Sequence, residues 1–309
     1  MKPKILLVGG NGFIGSHLAD ALLARGAALR ILDVQAERFR APLPGVEYFN
    51  GDCTNAATFR AALSGCDTLI HLAHNTLPLA SFVNLDREVR LGLEVFAGVL
   101  EMALQEQVGK VMLFSSGGAV YGEPPSANPV EEKSACRPVS PYGLIKLMME
   151  KYLHMVHHLH GLSYLVVRPS NPFGPRQNFL GHQGAIPIFM HRLLTGQLIS
   201  IWGDGQAVKD YIYITDLVGA VVALLEAGFD NEVYNVGSGV GRSVGEVVAT
   251  LERELNHKAR LEYRPAHAAD VSHSVLALDK LIARTGWAPQ TGFDEGLRQT
   301  RQWYDEVKK

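Results

Sequence analysis

Along the first half of the chain, short uninterrupted apolar runs alternate with stretches in which apolar residues recur every three or four positions. Residues 4–9 form one such run and end in glycines, the mark of a strand buried on both faces. Residues 16–25 follow with Leu18, Leu22 and Leu23 on one side and Gly26 as a stop, which predicts a helix. The strand signal returns at 28–33, 68–73 and 110–115. Strands alternating with helices predict βαβ units, and the handedness of their crossovers places helices on both faces of a parallel sheet. Residues 1–170 therefore read as a doubly wound α/β domain.

After Arg168 and Pro169 the pattern loosens. Residues 171–185 are rich in Pro, Gly and Asn, residues 211–226 read as a strand end followed by a buried helix, and residues 257–309 form a polar tail with small apolar patches. The expected organisation is a large N-terminal domain, to which the chain returns around 208–236, and a smaller C-terminal lobe over 171–309. Two predicted helices, 87–107 and 141–160, are apolar on nearly every side, through residues such as Leu93, Phe96, Leu100, Ile145, Met149 and Leu153. A helix apolar all round must be covered all round. One face can pack on the sheet and the other on a second copy of the chain, so a homodimer is expected.

Composition narrows the classes. Of 309 residues, 47% are hydrophobic and 19% charged, and the net charge is −2 with basic residues scattered. That excludes a nucleic-acid or anionic-membrane footprint. The N-terminal apolar run breaks at Gly9 and Gly10, too soon for a secretory signal. No stretch approaches the ~20 apolar residues of a membrane span. Cys53, Cys66 and Cys136 fit neither a disulfide framework nor a zinc pattern. A cytoplasmic protein is expected. His154 and His158 share a helix face but have no acidic or thiol ligand near them in sequence, so no metal site is assigned.

The segment between the first strand and helix carries Gly9, Gly12 and Gly15. Glycines there allow a tight turn and a close backbone approach to a pyrophosphate, which the N–H groups of the helix start would receive. Asp33 ends the second strand, 18 residues after Gly15, where a carboxylate accepts both hydroxyls of an adenosine ribose and repels a 2′-phosphate. The nearest arginine is Arg38, so NAD is favoured over NADP. Asp52 stands at the end of the next predicted strand, along the same sheet edge.

Tyr142 and Lys146 open the helix 141–160, four residues apart and so on one face. A free tyrosine titrates near ~10, and a neighbouring ammonium favours the phenolate, which makes the pair a candidate general base.

These segments, with His71-Leu72-Ala73, residues 114–122, Arg168 to Arg176, Trp202 to Gly205, Lys209-Asp210-Tyr211 and Tyr234 to Gly239, run in order along nearly the whole chain. In this order they resemble the extended short-chain dehydrogenase/reductase family, and within it the nucleotide-sugar 4-epimerases. The resemblance implies a Rossmann-type domain with a smaller substrate lobe, and NAD as cofactor. It implies that Tyr142 exchanges a proton with a sugar hydroxyl, while hydride moves to the cofactor and back to the other face of a keto-sugar. Lys146 would bind the nicotinamide ribose and lower the tyrosine pKa. Gly9, Gly12, Phe13, Ile14, Gly15, Asp33, Asp52, Cys53, Leu72, Ala73, Ser115, Pro169 and Ser170 match cofactor-lining positions. His74, Ser116, Asn171, Ile186, Lys209 and His267 match substrate-lining ones. The family's usual dimer interface uses the two apolar helices noted above.

The chain also departs from that pattern. The usual third catalytic hydroxyl falls on Gly117, a second usual hydroxyl falls on Ala119, and Ser116 is the nearest remaining donor. Loss of one such donor slows chemistry by ~10²-fold unless another group replaces it. Residues 117–119 carry no acid, which argues against a dehydratase or a decarboxylase. Lys209 and His267 stand where the epimerases place arginines that hold a diphosphate, and neither offers the bidentate fork of arginine. The alternatives to an epimerase are a net sugar or alcohol oxidoreductase and a non-catalytic NAD-binding scaffold.

Overall fold

A computed structural model describes residues 3–73, 85–181, 184–266 and 270–308, with the backbone alone at 85–88 and 91. The chain opens with β1 (Lys4–Val8), α1 (Phe13–Ala24), β2 (Ala28–Asp33), β3 (Glu47–Asn50), α2 (Ala56–Leu63) and β4 (Thr68–His71). It continues through α3 (Leu85–Gln105), β5 (Lys110–Phe114), α4 (Gly117–Val120), α5 (Pro141–His160) and β6 (Ser163–Pro169). Then come β7 (Asn171–Phe173), α6 (Ala185–Leu194), β8 (Leu198–Trp202), β9 (Val208–Tyr213), α7 (Ile214–Ala227) and β10 (Glu232–Val236). The last elements are β11 (Gly241–Ser243), α8 (Val244–Leu255), β12 (Arg260–Arg264), β13 (His273–Ser274), α9 (Asp279–Thr285) and α10 (Phe293–Val307).

The central sheet has the order β10-β6-β5-β4-β1-β2-β3. Every registered pair from β3 through β6 is parallel, as in β1 on β4, where Ile5 pairs with Thr68 and Val8 with His71. Leu6, Leu7, Leu69, Ile70 and Val111 have no exposed surface, which is why these strands read as unbroken apolar runs rather than alternating ones. The chain leaves β1 in one direction to build β2 and β3, and returns on its other side with β4. Ligands of such sheets bind in the crevice where the strand order reverses. That crevice lies at the carboxyl ends of β1 and β4.

Helix boundaries differ slightly from the sequence expectation. α1 begins at Phe13 rather than at residue 16, because Gly12 is already its N-cap and the end of the glycine turn is helical. α3 ends at Gln105, ahead of the left-handed Gln107 with φ 59°. α3 and α5 pack closely, and a Cβ at Gly92 would stand 2.7 Å from Ile145.

The chain divides into two compact units. The first comprises Met1–Ser116, Pro141–Arg168 and Val221–Tyr234; the second comprises Gly117–Ser140, Pro169–Ala220 and Asn235–Lys309. The second unit therefore includes the stretch after Ser116 as well as the C-terminal part. It is built round β9, which pairs with β11 antiparallel and with β13 and β7 in parallel, while β12 pairs with β8. Asp210 on β9 is fully buried and accepts from Ser238 N and Oγ at 2.8 Å each, from Gly239 N at 3.1 Å and from Leu276 N at 3.4 Å. One carboxylate thus ties three segments together. Asp210→Ala leaves those donors unmet and is expected to cost ~3 kcal/mol of stability, seen as a lowered denaturant midpoint.

Candidate active site

The turn between β1 and α1 is set by contacts that only glycine permits. Gly9 has φ +83°, and a Cβ there would stand 3.0 Å from Ala73 N, so the loops after β1 and β4 touch backbone to backbone. A Cβ at Gly15 would lie 2.4 Å from the Gly9 carbonyl oxygen. Gly12 caps α1 without a side-chain acceptor, which leaves the N–H groups of the turn carrying Phe13, Ile14 and Gly15 for an outside anion.

Asp33 accepts from Asn11 N and Gln35 N, at 2.9 Å each, and this fixes its carboxylate at the end of β2. Asn11 donates from Nδ2 to Gln35 O at 2.7 Å, while its Oδ1 is buried with no hydrogen-bond partner among the described residues. An unmet amide oxygen, a pinned carboxylate and an uncapped helix start fit a dinucleotide. Asp52 accepts from Thr54 N at 2.9 Å, and burial together with the Asp52 charge pushes the Cys53 thiol up to about 12.

Tyr142 and Lys146 occupy the first two turns of α5, which Pro141 opens. A cleft within the first unit is lined by Cys53, His71, Ala73, Tyr142, Lys146 and Met149, among others. The Lys146 Nζ lies 5.9 Å from the Tyr142 ring centroid and donates to Phe114 O at 2.8 Å. Burial pushes the Tyr142 phenol up to about 12, eased by a hydrogen bond with the Ser116 hydroxyl. Burial also brings Lys146 down to about 8, opposed by the charge of Glu150. The lowering contact on this phenol is Ser116, and desolvation outweighs it. Ser115 bonds through its N–H to Val167 O at 2.8 Å and through its hydroxyl to Glu150.

The first unit thus brings together the glycines, Asp33, Asp52, Cys53, Leu72, Ala73, Ser115, Ser116, Tyr142 and Lys146. Pro169, Ser170, Asn171, Ile186 and Lys209 belong to the second unit. There Asn171 donates to Asp210 O at 2.9 Å, Ile186 is buried in α6, and Lys209 gives a short hydrogen bond to Val271 O. Burial lowers the Lys209 pKa, against the charges of Asp270 and Glu123. Ser170 Oγ is buried with no hydrogen-bond partner among the described residues. His74 and His267 lie outside the described residues. Sequence reasoning did not pick out Asn11, Glu150 or Arg168. The spacing Tyr142, Lys146, Glu150 carries the signal for the second, since a third residue at the same interval shares the same face.

These groups fit an enzyme of the dinucleotide-binding class. The chain belongs to the NAD dependent epimerase/dehydratase family, whose pattern matches residues 5–237. It is similar in structure to a UDP-glucose 4-epimerase of Thermotoga maritima solved with UDP-glucose, at 31% identity and a TM-score of 0.92 over 99% of this chain and 100% of that one. It is also similar to a UDP-glucose 4-epimerase of Thermus thermophilus solved with NAD, at 32% identity and a TM-score of 0.90 over 98% and 99%. A dTDP-4-dehydro-6-deoxyglucose reductase of Escherichia coli is 31% identical over 96% of each chain.

The phenol's environment gives a direct test. Without cofactor, the tyrosinate absorbance difference between wild type and Tyr142→Phe is expected to show no step until about pH 12. With NAD⁺ bound, the added positive charge is expected to bring that step down by ~2 units or more.

Proposed function

We propose that the chain catalyses NAD-dependent epimerisation of a nucleotide-activated sugar, in the manner of a UDP-glucose 4-epimerase. The observation that carries this reading is the grouping of Tyr142, Ser116 and Lys146 next to a dinucleotide turn. Likeness to UDP-glucose 4-epimerases over the whole length of the chain supports it.

Bound NAD supplies a hydride acceptor that returns what it receives. The protein's own part is proton handling and orientation. Tyr142 Oη removes the proton of the sugar hydroxyl being oxidised, and gives it back when the carbonyl is reduced on its other face. Ser116 shares a hydrogen bond with that phenol and replaces the hydroxyl missing at Gly117. Lys146 holds the nicotinamide ribose with the N–H groups not given to Phe114. Gly9, Gly12, Phe13, Ile14 and Gly15 receive the pyrophosphate, Asp33 the adenosine ribose, and Asp52, Cys53, Leu72, Ala73, Ser115, Pro169 and Ser170 line the cofactor. Asn171, Lys209 and His267 take the substrate diphosphate, and His74 and Ile186 are further substrate-binding residues.

The test is to incubate the NAD-loaded enzyme with UDP-glucose and follow UDP-galactose by proton NMR together with NADH absorbance. Inversion without net NADH is expected. Tyr142→Phe is expected to lower kcat by ~10³-fold or more and Ser116→Ala by ~10²-fold, with NAD still bound. The 31% identity to a nucleotide-sugar reductase favours a second reading, net oxidoreduction of a related sugar. Stoichiometric change in NADH with the sugar would select it.

The functional unit we propose is a homodimer joined through α3 and α5. α5 presents Leu144, Met155 and Leu159 to solvent at 39, 43 and 62% exposure, the apolar face a partner helix would cover. Cys53, Cys66 and Cys136 form no disulfide, which supports a reducing compartment, the cytoplasm. Among the described residues no helix is long and apolar enough to cross a membrane. Sedimentation at micromolar concentration is expected to give a species of twice the 33.7 kDa chain mass. Leu159→Glu is expected to shift it toward the single chain, and a wild-type protein that sediments at 33.7 kDa would exclude the dimer.

A further inference from the structure

Behind the tyrosine–lysine pair, three charged side chains are buried together: Lys146, Glu150 and Arg168, at 3, 4 and 3% exposure. Arg168 reaches Glu150 as a fork, Nε to Oε1 at 3.0 Å and Nη2 to Oε2 at 2.6 Å. A buried pair of this kind is by itself weak evidence for anything beyond the fold. Two contacts extend it toward the chemistry. The Ser115 hydroxyl also donates to Glu150 Oε1, and the residue before it, Phe114, receives the Lys146 ammonium on its carbonyl at 2.8 Å. Consecutive residues at the end of β5 are therefore each fastened to α5, one by Lys146 and one by Glu150, a single turn apart.

The groups around the ammonium come from several elements. Tyr142 and Glu150 share its helix, Arg168 lies on β6, His71 ends β4, and Cys53 lines the same cleft. From α3 come Gly92, Val95 and Phe96, which carry no charge. The Cys53 thiol is held protonated by its surroundings. Glu150 is the one carboxylate among these groups, and its charge opposes the burial that would strip Lys146 of its proton.

We propose that Glu150, clamped by Arg168 and Ser115, is a positioning residue that keeps the Lys146 ammonium charged and fixed beside Tyr142. The assignment rests on the reading of Tyr142 and Lys146 as the reacting pair. It predicts a dependence on charge, not only on packing. Without the carboxylate, the ammonium gives up its proton at lower pH, so the charged form disappears first on the alkaline side.

The experiment follows the titration of Lys146 in NAD-loaded protein by NMR of carbon-13-labelled lysine, the signal being identified by its loss in Lys146→Arg. Glu150→Gln is expected to lower that titration by ~1 unit or more, a tenfold fall in the charged fraction on its alkaline side. kcat for UDP-glucose should then fall little at about pH 6 and ~10-fold or more at about pH 8, with KM nearly unchanged. Because Glu150→Gln removes the carboxylate that the Arg168 fork meets, Glu150→Gln/Arg168→Met is made beside it to remove both charges together. It is expected to shift the titration the same way by a smaller amount, since a positive charge leaves with the negative one. An unmoved Lys146 titration in Glu150→Gln, or in the double variant if that alone folds, or a loss of kcat equal at every pH, overturns the proposal. Failure of both variants to fold overturns it too, since the pair then serves the fold alone. The lysine signal is read without substrate. If wild type leaves UDP-glucose unchanged, the epimerase reading falls, while the titration still decides the role of Glu150.

Discussion

The attachment of α5 to the end of β5 is the constraint on which the rest of the site depends. A long helix on a parallel sheet can slide along its axis with little change in apolar contact, because one leucine replaces another. Here sliding is prevented by polar contacts made where water is absent. Lys146 bonds to the Phe114 carbonyl, and Glu150 receives both Ser115 and the fork of Arg168. Each of these would strand a buried polar group if the helix moved by a residue, and that penalty is steep where apolar packing is forgiving. The register so fixed sets the height of Tyr142 above the sheet and brings its phenol to Ser116.

A second constraint, the contact of Gly9 with Ala73, sets where a dinucleotide can lie. Two backbones at van der Waals distance close the bottom of the crevice between β1 and β4. The uncapped turn of α1 and the Asp33 carboxylate, which accepts from Asn11 N of that turn, stand together at this sheet edge. Both constraints act within the first unit.

The fold was legible in the chain because its strands are buried on both faces. Residues 4–8 and 68–71 carry no alternation to confuse with an amphipathic element, and glycines punctuate them. Asp33 and the Tyr142–Lys146 pair could be read for a similar reason: each sits at a fixed interval from a secondary-structure boundary. The role of Ser116 was only half legible. Counting along the chain places the usual hydroxyl at Gly117, and nothing in one dimension says that a hydroxyl one residue earlier reaches the same phenol. Glu150 and Arg168 went unread for a different reason. They are 18 positions apart, and a buried carboxylate that pairs with an arginine on the neighbouring strand looks, in sequence, like any charged residue on a helix. Short apolar segments of the second unit, such as β7 and β11, leave little periodicity to detect.

Burial also sets the resting state of the tyrosine–lysine pair. Desolvation pulls the two partners in opposite directions, the phenol up to about 12 and the ammonium down to about 8, because each favours its neutral form when buried. Near neutral pH the phenol therefore keeps its proton and the lysine sits close to losing its own. Glu150 and Ser116 act against these two tendencies, the first for the cation and the second for the phenolate. Neither closes the gap alone. The oxidised nicotinamide ring of the family's cofactor carries a positive charge, which would lower the phenol's pKa if Tyr142 holds the role proposed for it. A base that becomes competent only when the hydride acceptor is in place and oxidised couples proton removal to hydride removal. On the proposed reading, burial alone would give that coupling.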